Sequence, residues 1–194
     1  MRSRSLILAA AVAALALPAD AQDAVIRAID PARSHASFSV THLYLARVTG
    51  TVPIMSGSVT LAPNSTVPTA VEATLDPNHI ASGNPDRDDD LQGPDWFDTK
   101  RFAHWTFRSS AVTPKANGAF TVAGTLTVHG VAQPVNLDAT VVRGEPHLAY
   151  HAVGHVDRHA FNMRVTPTDG LIGSDITITL DVEVHENPPP QARE

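Results

Sequence analysis

Ile176-Thr177-Ile178-Thr179-Leu180-Asp181-Val182-Glu183-Val184 is the stretch that decides the fold class. Every second side chain is apolar, and each one between is polar. Successive side chains of an extended chain point to opposite faces, so this segment lays one greasy stripe against a core and one polar stripe against water. Wound into a helix, the same apolar residues would scatter around the whole circumference.

The same alternation recurs outward from that segment. Phe120, Val122, Gly124, Leu126 and Val128 repeat it, as do Val135, Leu137, Ala139 and Val141, and Tyr150, Ala152, Gly154 and Val156. Shorter runs are Ala36, Phe38 and Val40; Val59 and Leu61; Val71, Ala73 and Leu75; and Trp105 and Phe107. Turn chemistry separates the runs: Pro63-Asn64-Ser65, Asn117-Gly118, His129-Gly130 and Arg143-Gly144-Glu145-Pro146. Asn-Gly is a strong hairpin signal, because both residues accept a positive φ. About eight strands joined mostly as hairpins predict an all-β antiparallel meander, hence a barrel or sandwich.

Two stretches lack the alternation. Residues 76–102 carry Pro, Gly, Asn, the acids Asp86, Asp88, Asp89 and Asp90, and then Pro94-Asp95-Trp96-Phe97-Asp98. Loops this long in compact domains often act as lids. Short helical turns are expected here, with Asp95 capping a turn through Phe97 and with Trp96 and Phe97 packing over one barrel end. The second irregular stretch runs from Arg158 to Gly173.

The termini read differently. Arg2 and Arg4 precede an apolar run from Leu6 to Leu17, and Ala19-Asp20-Ala21 has a small-x-small pattern. That is the form of an export signal over residues 1–21, with an apolar stretch too short to span a bilayer. The domain is expected over 22–186, with a disordered Pro-rich tail at 187–194. Export places the chain most simply in a periplasm, and secretion beyond it is the alternative. The formal charge of −6 argues against a nucleic-acid partner, which would need a basic face, and zero Cys excludes disulfides, thiolate metal ligands and a thiol nucleophile.

Five pieces, in order, resemble the YceI-like, polyisoprenoid-binding family. They are Asp30-Pro31 with Ser34-His35 and Phe38-x-Val40-x-His42-Leu43; Gly83-Asn84-x-x-Arg87-Asp88-x-x-Leu91 followed by Asp95-Trp96-Phe97-Asp98; Thr106-Phe107-x-Ser109; Gly124 through Val135; and Asp157-Arg158-x-x-Phe161. The similarity spans residues 26–184. It implies a lipocalin-like antiparallel barrel with an extended internal tunnel, a long-chain isoprenoid ligand such as a polyprenyl or quinone tail, no catalysis and no cofactor. Contact with a membrane or membrane protein, and a homodimer, are compatible with that role. Trp96 stands where Phe is usual in the family, Ala103 where Pro is common, and Asn78-His79 where Ser is frequent; Asp89 and Asp90 make the loop unusually acidic.

On this reading the ligand-binding candidates are Phe38, Val40, His42, Arg87, Asp88, Leu91, Trp96, Phe97, Trp105, Arg158 and Phe161. Ordinary packing explains most of the apolar ones, with Phe38 and Trp96 the best placed to line a ligand. Small inward residues (Ala36, Ala152, Gly154) would leave room. Arg87, Asp88 and Arg158 fall at the mouth. Arg can grip a phosphate bidentately, but an Arg87–Asp88 or Asp157–Arg158 pair tying a loop to the rim is the favoured reading. The surrounding acids argue for a headgroup less charged than a pyrophosphate. Burial of a five-carbon unit contributes roughly 3–4 kcal/mol gross, so apolar contact supplies affinity, and selectivity falls to cavity length and the mouth.

Other classes fit less well. His147, His151, His155 and His159 recur every fourth residue, which would stack imidazoles on a helix. On a strand they lie roughly 13 Å apart, too far to share an ion, so no metal site is expected. No nucleophile elbow, phosphate loop or dinucleotide fingerprint is present. A diffuse active site would draw first on Asp88, His42 and Arg158. A stress-response barrel without a fixed ligand is the third possibility.

Overall fold

The computed structural model describes residues 24–43, 46–163 and 169–185. The expected signal (1–21) and tail (187–194) lie outside them. The strands are β1 (Val25–Ala28), β2 (His35–His42), β3 (Ala46–Val52), β4 (Ile54–Leu61), β5 (Pro68–Leu75), β6 (Trp105–Pro114), β7 (Ala119–Val128), β8 (Val131–Arg143), β9 (Ala149–Asp157) and β10 (Ile172–Glu183). All ten belong to one curled antiparallel sheet, in the order β1-β4-β5-β6-β7-β8-β9-β10-β2-β3. The all-β, lipocalin-like expectation holds.

The expected eight strands become ten for two reasons. β3 and β4 are parted only by Pro53, which cannot donate to a ladder. The chain changes neighbours there: β3 pairs with β2, and β4 with β5. Counted as one bent ribbon they complete a ring of eight, with β1 as an extra seam strand. Ile29 N donates to Gly57 O (3.0 Å) beside β4, Asp30 N to Glu183 O (2.9 Å) on β10, and His185 N to Ala28 O (2.9 Å). The start of the described chain thus laces β4 to β10 and shuts the curled sheet at one end.

The two-residue turn His129-Gly130 has φ of 52° and 72°, and Asn117-Gly118 has 57° and 73°. Both are the positive-φ turns that match the twist of a hairpin. Inside the sheet, two other glycines serve close packing. A methyl group at Gly50 would sit 2.5 Å from the Phe38 ring, and one at Gly124 would sit 2.6 Å from the Phe107 ring. The edge of each ring therefore occupies the space that a side chain at the glycine would take.

The loop between β5 and β6 holds a 3-10 turn, Pro77–His79, and the helix α1, Pro85–Gln92. The helix begins where Asn84 accepts from Arg87 N with Pro85 in the first turn, a favourable start. This corrects the expected Asp95 cap: residues 94–97 form a turn held by Trp96 N to Gly93 O (3.1 Å) and Phe97 N to Leu91 O (3.0 Å). No residue of α1 is buried, whereas Phe97, Asp98 and Thr99 are. Thr51 and Ala81 exchange both backbone hydrogen bonds (2.8 and 3.0 Å), so the loop also covers the free edge of β3.

Candidate functional site

The inward stripes of the strands do not fill the space they enclose. A cavity of about 730 Å³ runs through the centre of the curled sheet. Its wall is the alternating set read from the sequence, including Phe107, Val122, Leu137, Ile178 and Leu180. Ala36, Ala139 and Ala152 line it where larger side chains would close it. Gly154 is not on the wall; it accommodates Leu137, whose Cδ2 would lie 2.6 Å from an added methyl group.

One end of the cavity is closed. There β4 ends and β7 and β9 begin, and Leu61, Phe120, Leu148, Tyr150 and Val184 are 0–6% exposed. The Phe120 and Tyr150 rings meet edge to face at 6.0 Å, and the Tyr150 hydroxyl donates to Thr66 O at 3.0 Å. Burial pushes the Tyr150 hydroxyl pKa up, so the phenol is neutral at physiological pH. Arg27, also buried, lies at the same end and pairs with Glu145 at 2.7 Å. The extended tunnel implied by the resemblance is therefore a blind pocket. The other end is open: Asp89, Asp90, Pro94 and Asp95 of the lid loop are exposed yet border the cavity, opposite Val40, His42, Val48 and Ile172.

Ten of the eleven candidates border this cavity: Phe38, Val40, His42, Arg87, Leu91, Trp96, Phe97, Trp105, Arg158 and Phe161. Phe97 and Trp105 pack edge to face at 4.6 Å. Asp88 is the exception. Its carboxylate accepts from the backbone and hydroxyl of Ser82, so it faces the base of the loop. Asp89, Asp90 and Asp95 were not singled out as site residues, yet they form the mouth; the acidic run was the available signal.

The two arginines differ. Arg158 is 1% exposed. Its Nε donates to Gly173 O, its Nη1 to Met163 O and Asp169 Oδ1, and its Nη2 to Asp169 O and Ile172 O, all within 3.0 Å. A guanidinium has five N–H groups, and all five are spent, so none is left for a ligand. Its Cζ lies over the Trp96 ring, 5.8 Å from the centroid, a cation–π contact that helps hold Trp96 beside the cavity. The expected loop tie is real but its acid is Asp169, not Asp157. The Arg158 hydrogen bond holds the Asp169 carboxyl below its usual range against the opposing effect of burial, and His159 adds to the lowering.

Arg87 donates from Nε to Ser82 Oγ and from Nη2 to Ser82 O, both at 2.7 Å. It therefore shares Ser82 with Asp88 rather than pairing with it. Among the described residues Nη1 of Arg87 has no hydrogen-bond partner, which leaves it as the cation at the mouth able to donate. With Asp88 turned away and Arg158 saturated, the trio Asp88, His42 and Arg158 is not assembled around the cavity. The histidines of β9 face outward, each toward its own acid: His151 to Asp181 at 2.7 Å and His155 to Asp175 at 3.3 Å.

A family model described as the YceI-like domain matches residues 28–184. A UPF0312 protein of Vibrio parahaemolyticus is 32% identical over 141 residues, covering 72% of this chain and 74% of that protein. One from Shewanella oneidensis is 29% identical over 162 residues, covering 77% and 84%. Among solved structures, Burkholderia cenocepacia BcnA superposes with a TM-score of 0.73 at 24% identity, covering 80% of this chain and 98% of that one. A polyisoprenoid-binding domain from Saccharophagus degradans superposes with a TM-score of 0.64 at 15% identity, covering 82% and 98%. At these identities the two structures corroborate the fold.

Proposed function

The chain belongs to the YceI-like domain family, and from that membership we propose that it binds one long-chain isoprenoid lipid tail-first in the blind pocket, as an exported periplasmic carrier that performs no chemistry. The observation that carries this reading is the cavity itself. Natural cores are packed to the density of organic crystals, and a largely apolar cavity of about 730 Å³ lies in the size range of ligand sites. A greasy dead end with a polar rim suits a molecule that is hydrocarbon at one end and polar at the other.

The rim supports a headgroup of low negative charge. Asp89, Asp90 and Asp95 border the opening and one arginine, Arg87, answers them. A pyrophosphate would meet more repulsion than attraction. A quinone or alcohol would lose little, and Arg87 Nη1 can donate to its oxygen. No cofactor is needed. Brief contact with a membrane, from which such a ligand must be drawn, belongs to the same proposal.

Organic extraction of protein purified from its native host, followed by mass spectrometry, tests the reading. One isoprenoid per chain is the expected result; an empty pocket after purification without detergent refutes the carrier. Phosphate- and quinone-headed ligands of equal tail length then test the rim, and a clear preference for the phosphate would overturn that part.

A further inference from the structure

We infer that the closed end makes this pocket a measuring device, holding a tail of about five isoprene units and leaving the rest of any longer chain outside. This deepens the reading above and rests on it. The argument starts from volume. A molecule of liquid water, one non-hydrogen atom, takes about 30 Å³. At that share 730 Å³ holds roughly 24 atoms, or close to five five-carbon units.

A volume limit becomes a length limit only if the far end is shut, and it is. Phe120 and Tyr150 are 2% and 6% exposed and brace each other edge to face. The Tyr150 hydroxyl is tied to the backbone of Thr66. The ion pair of Arg27 with Glu145 lies at the same end, and a hydrocarbon tail cannot displace it without leaving a buried cation unpaired. Ladders run without a break from β1 and β4 round to β3, and residues 28–30 lace β4 to β10 across the seam, so the walls give a tail no exit along these ladders. It can only fill the pocket or project past Asp89, Asp90 and Asp95 into water.

Affinity should therefore climb with each unit until the floor is reached and then level off. Delipidated protein is titrated with all-trans isoprenols of three, four, five and eight units, with straight-chain alcohols of matched carbon number alongside. The expected result is a gain of about tenfold per unit up to five units and less than threefold between five and eight. Phe120→Ala removes the whole six-carbon ring from the floor and should move the plateau up by about one unit. Ala152→Leu thickens the wall and should move it down by about one. The second variant keeps the test decisive if the first fails to fold. Affinity that keeps rising to eight units, or a plateau that neither variant moves, overturns the length rule while leaving isoprenoid binding intact. Failure of every isoprenol to bind, or equal binding of the straight-chain alcohols, overturns the isoprenoid reading itself and the length rule with it.

Discussion

At the scale of single residues, Arg158 and Arg87 show how one side-chain type can do two jobs on the border of one cavity. Arg158 spends its hydrogen bonds on the carbonyls of Met163, Asp169, Ile172 and Gly173 and on the Asp169 carboxylate. Removing a buried, fully bonded cation strands its partners, so Arg158→Met should cost about 3–5 kcal/mol of stability, read by chemical denaturation. Arg87 is half-buried on an exposed helix, so Arg87→Ala should change stability by less than about 1 kcal/mol and show itself in ligand release instead. Asp169 adds a pH dependence. Its folded pKa is depressed, so the stability it contributes is complete above the ordinary carboxylate value near 4 and is lost as pH falls through the lowered one. Trp96, which faces Arg158, should report that loss as a fluorescence change in the acid range. The change should vanish in Asp169→Asn; an identical titration in that variant would show that another group is responsible.

At the scale of elements, close packing against glycine governs how much of the interior stays open. Gly50→Ala should push the Phe38 ring off the β3 backbone and into the cavity, since the added methyl group would lie 2.5 Å from it. Overpacking of this kind costs about 1–3 kcal/mol. The sharper expectation is binding weakened about tenfold in a protein whose far-ultraviolet dichroism is unchanged; normal binding would mean the ring has somewhere else to go. These same residues explain what could and could not be read in advance. The eight alternating runs were visible because each keeps its apolar residues in phase. β3 was not, because Gly50 stands at the inward position between Val48 and Val52. β1 was missed because inward-facing Arg27 breaks a four-residue strand. The helix α1 buries nothing, so no apolar period marks its bounds; the sequence places short helical turns within residues 76–102 but not a start at Asn84-Pro85.

For the molecule as a whole, the decisive facts are collective. Which of the two ends of the cavity is closed depends on where loops fall in space, and no run of sequence announces it. The site candidates fall at the lid and the strands near it and include none at the floor, because Phe120 and Tyr150 look like any other core aromatics until the strands are wound together. The seam through Ile29 is testable at this scale. Ile29 is 3% exposed and bridges to Val184 beyond β10. Ile29→Ala should cost about 2–5 kcal/mol, with amide exchange accelerated first at residue 29, Asp30 and His185, the donors of the seam. Loss of protection confined to the lid would place the weak point elsewhere.

The lacing of residues 28–30 onto residues 183–185 also sets an order of events in time. The pairing joins the two extremes of the domain, so its loop-closure entropy must be met across nearly the whole length of the polypeptide. The receptacle cannot become watertight until the last strand has arrived. A nascent or clipped chain lacking that strand would be a half-shell with its greasy lining in water, a substrate for proteolysis and self-association. Closure of the cavity and completeness of the domain thus depend on the same handful of backbone hydrogen bonds.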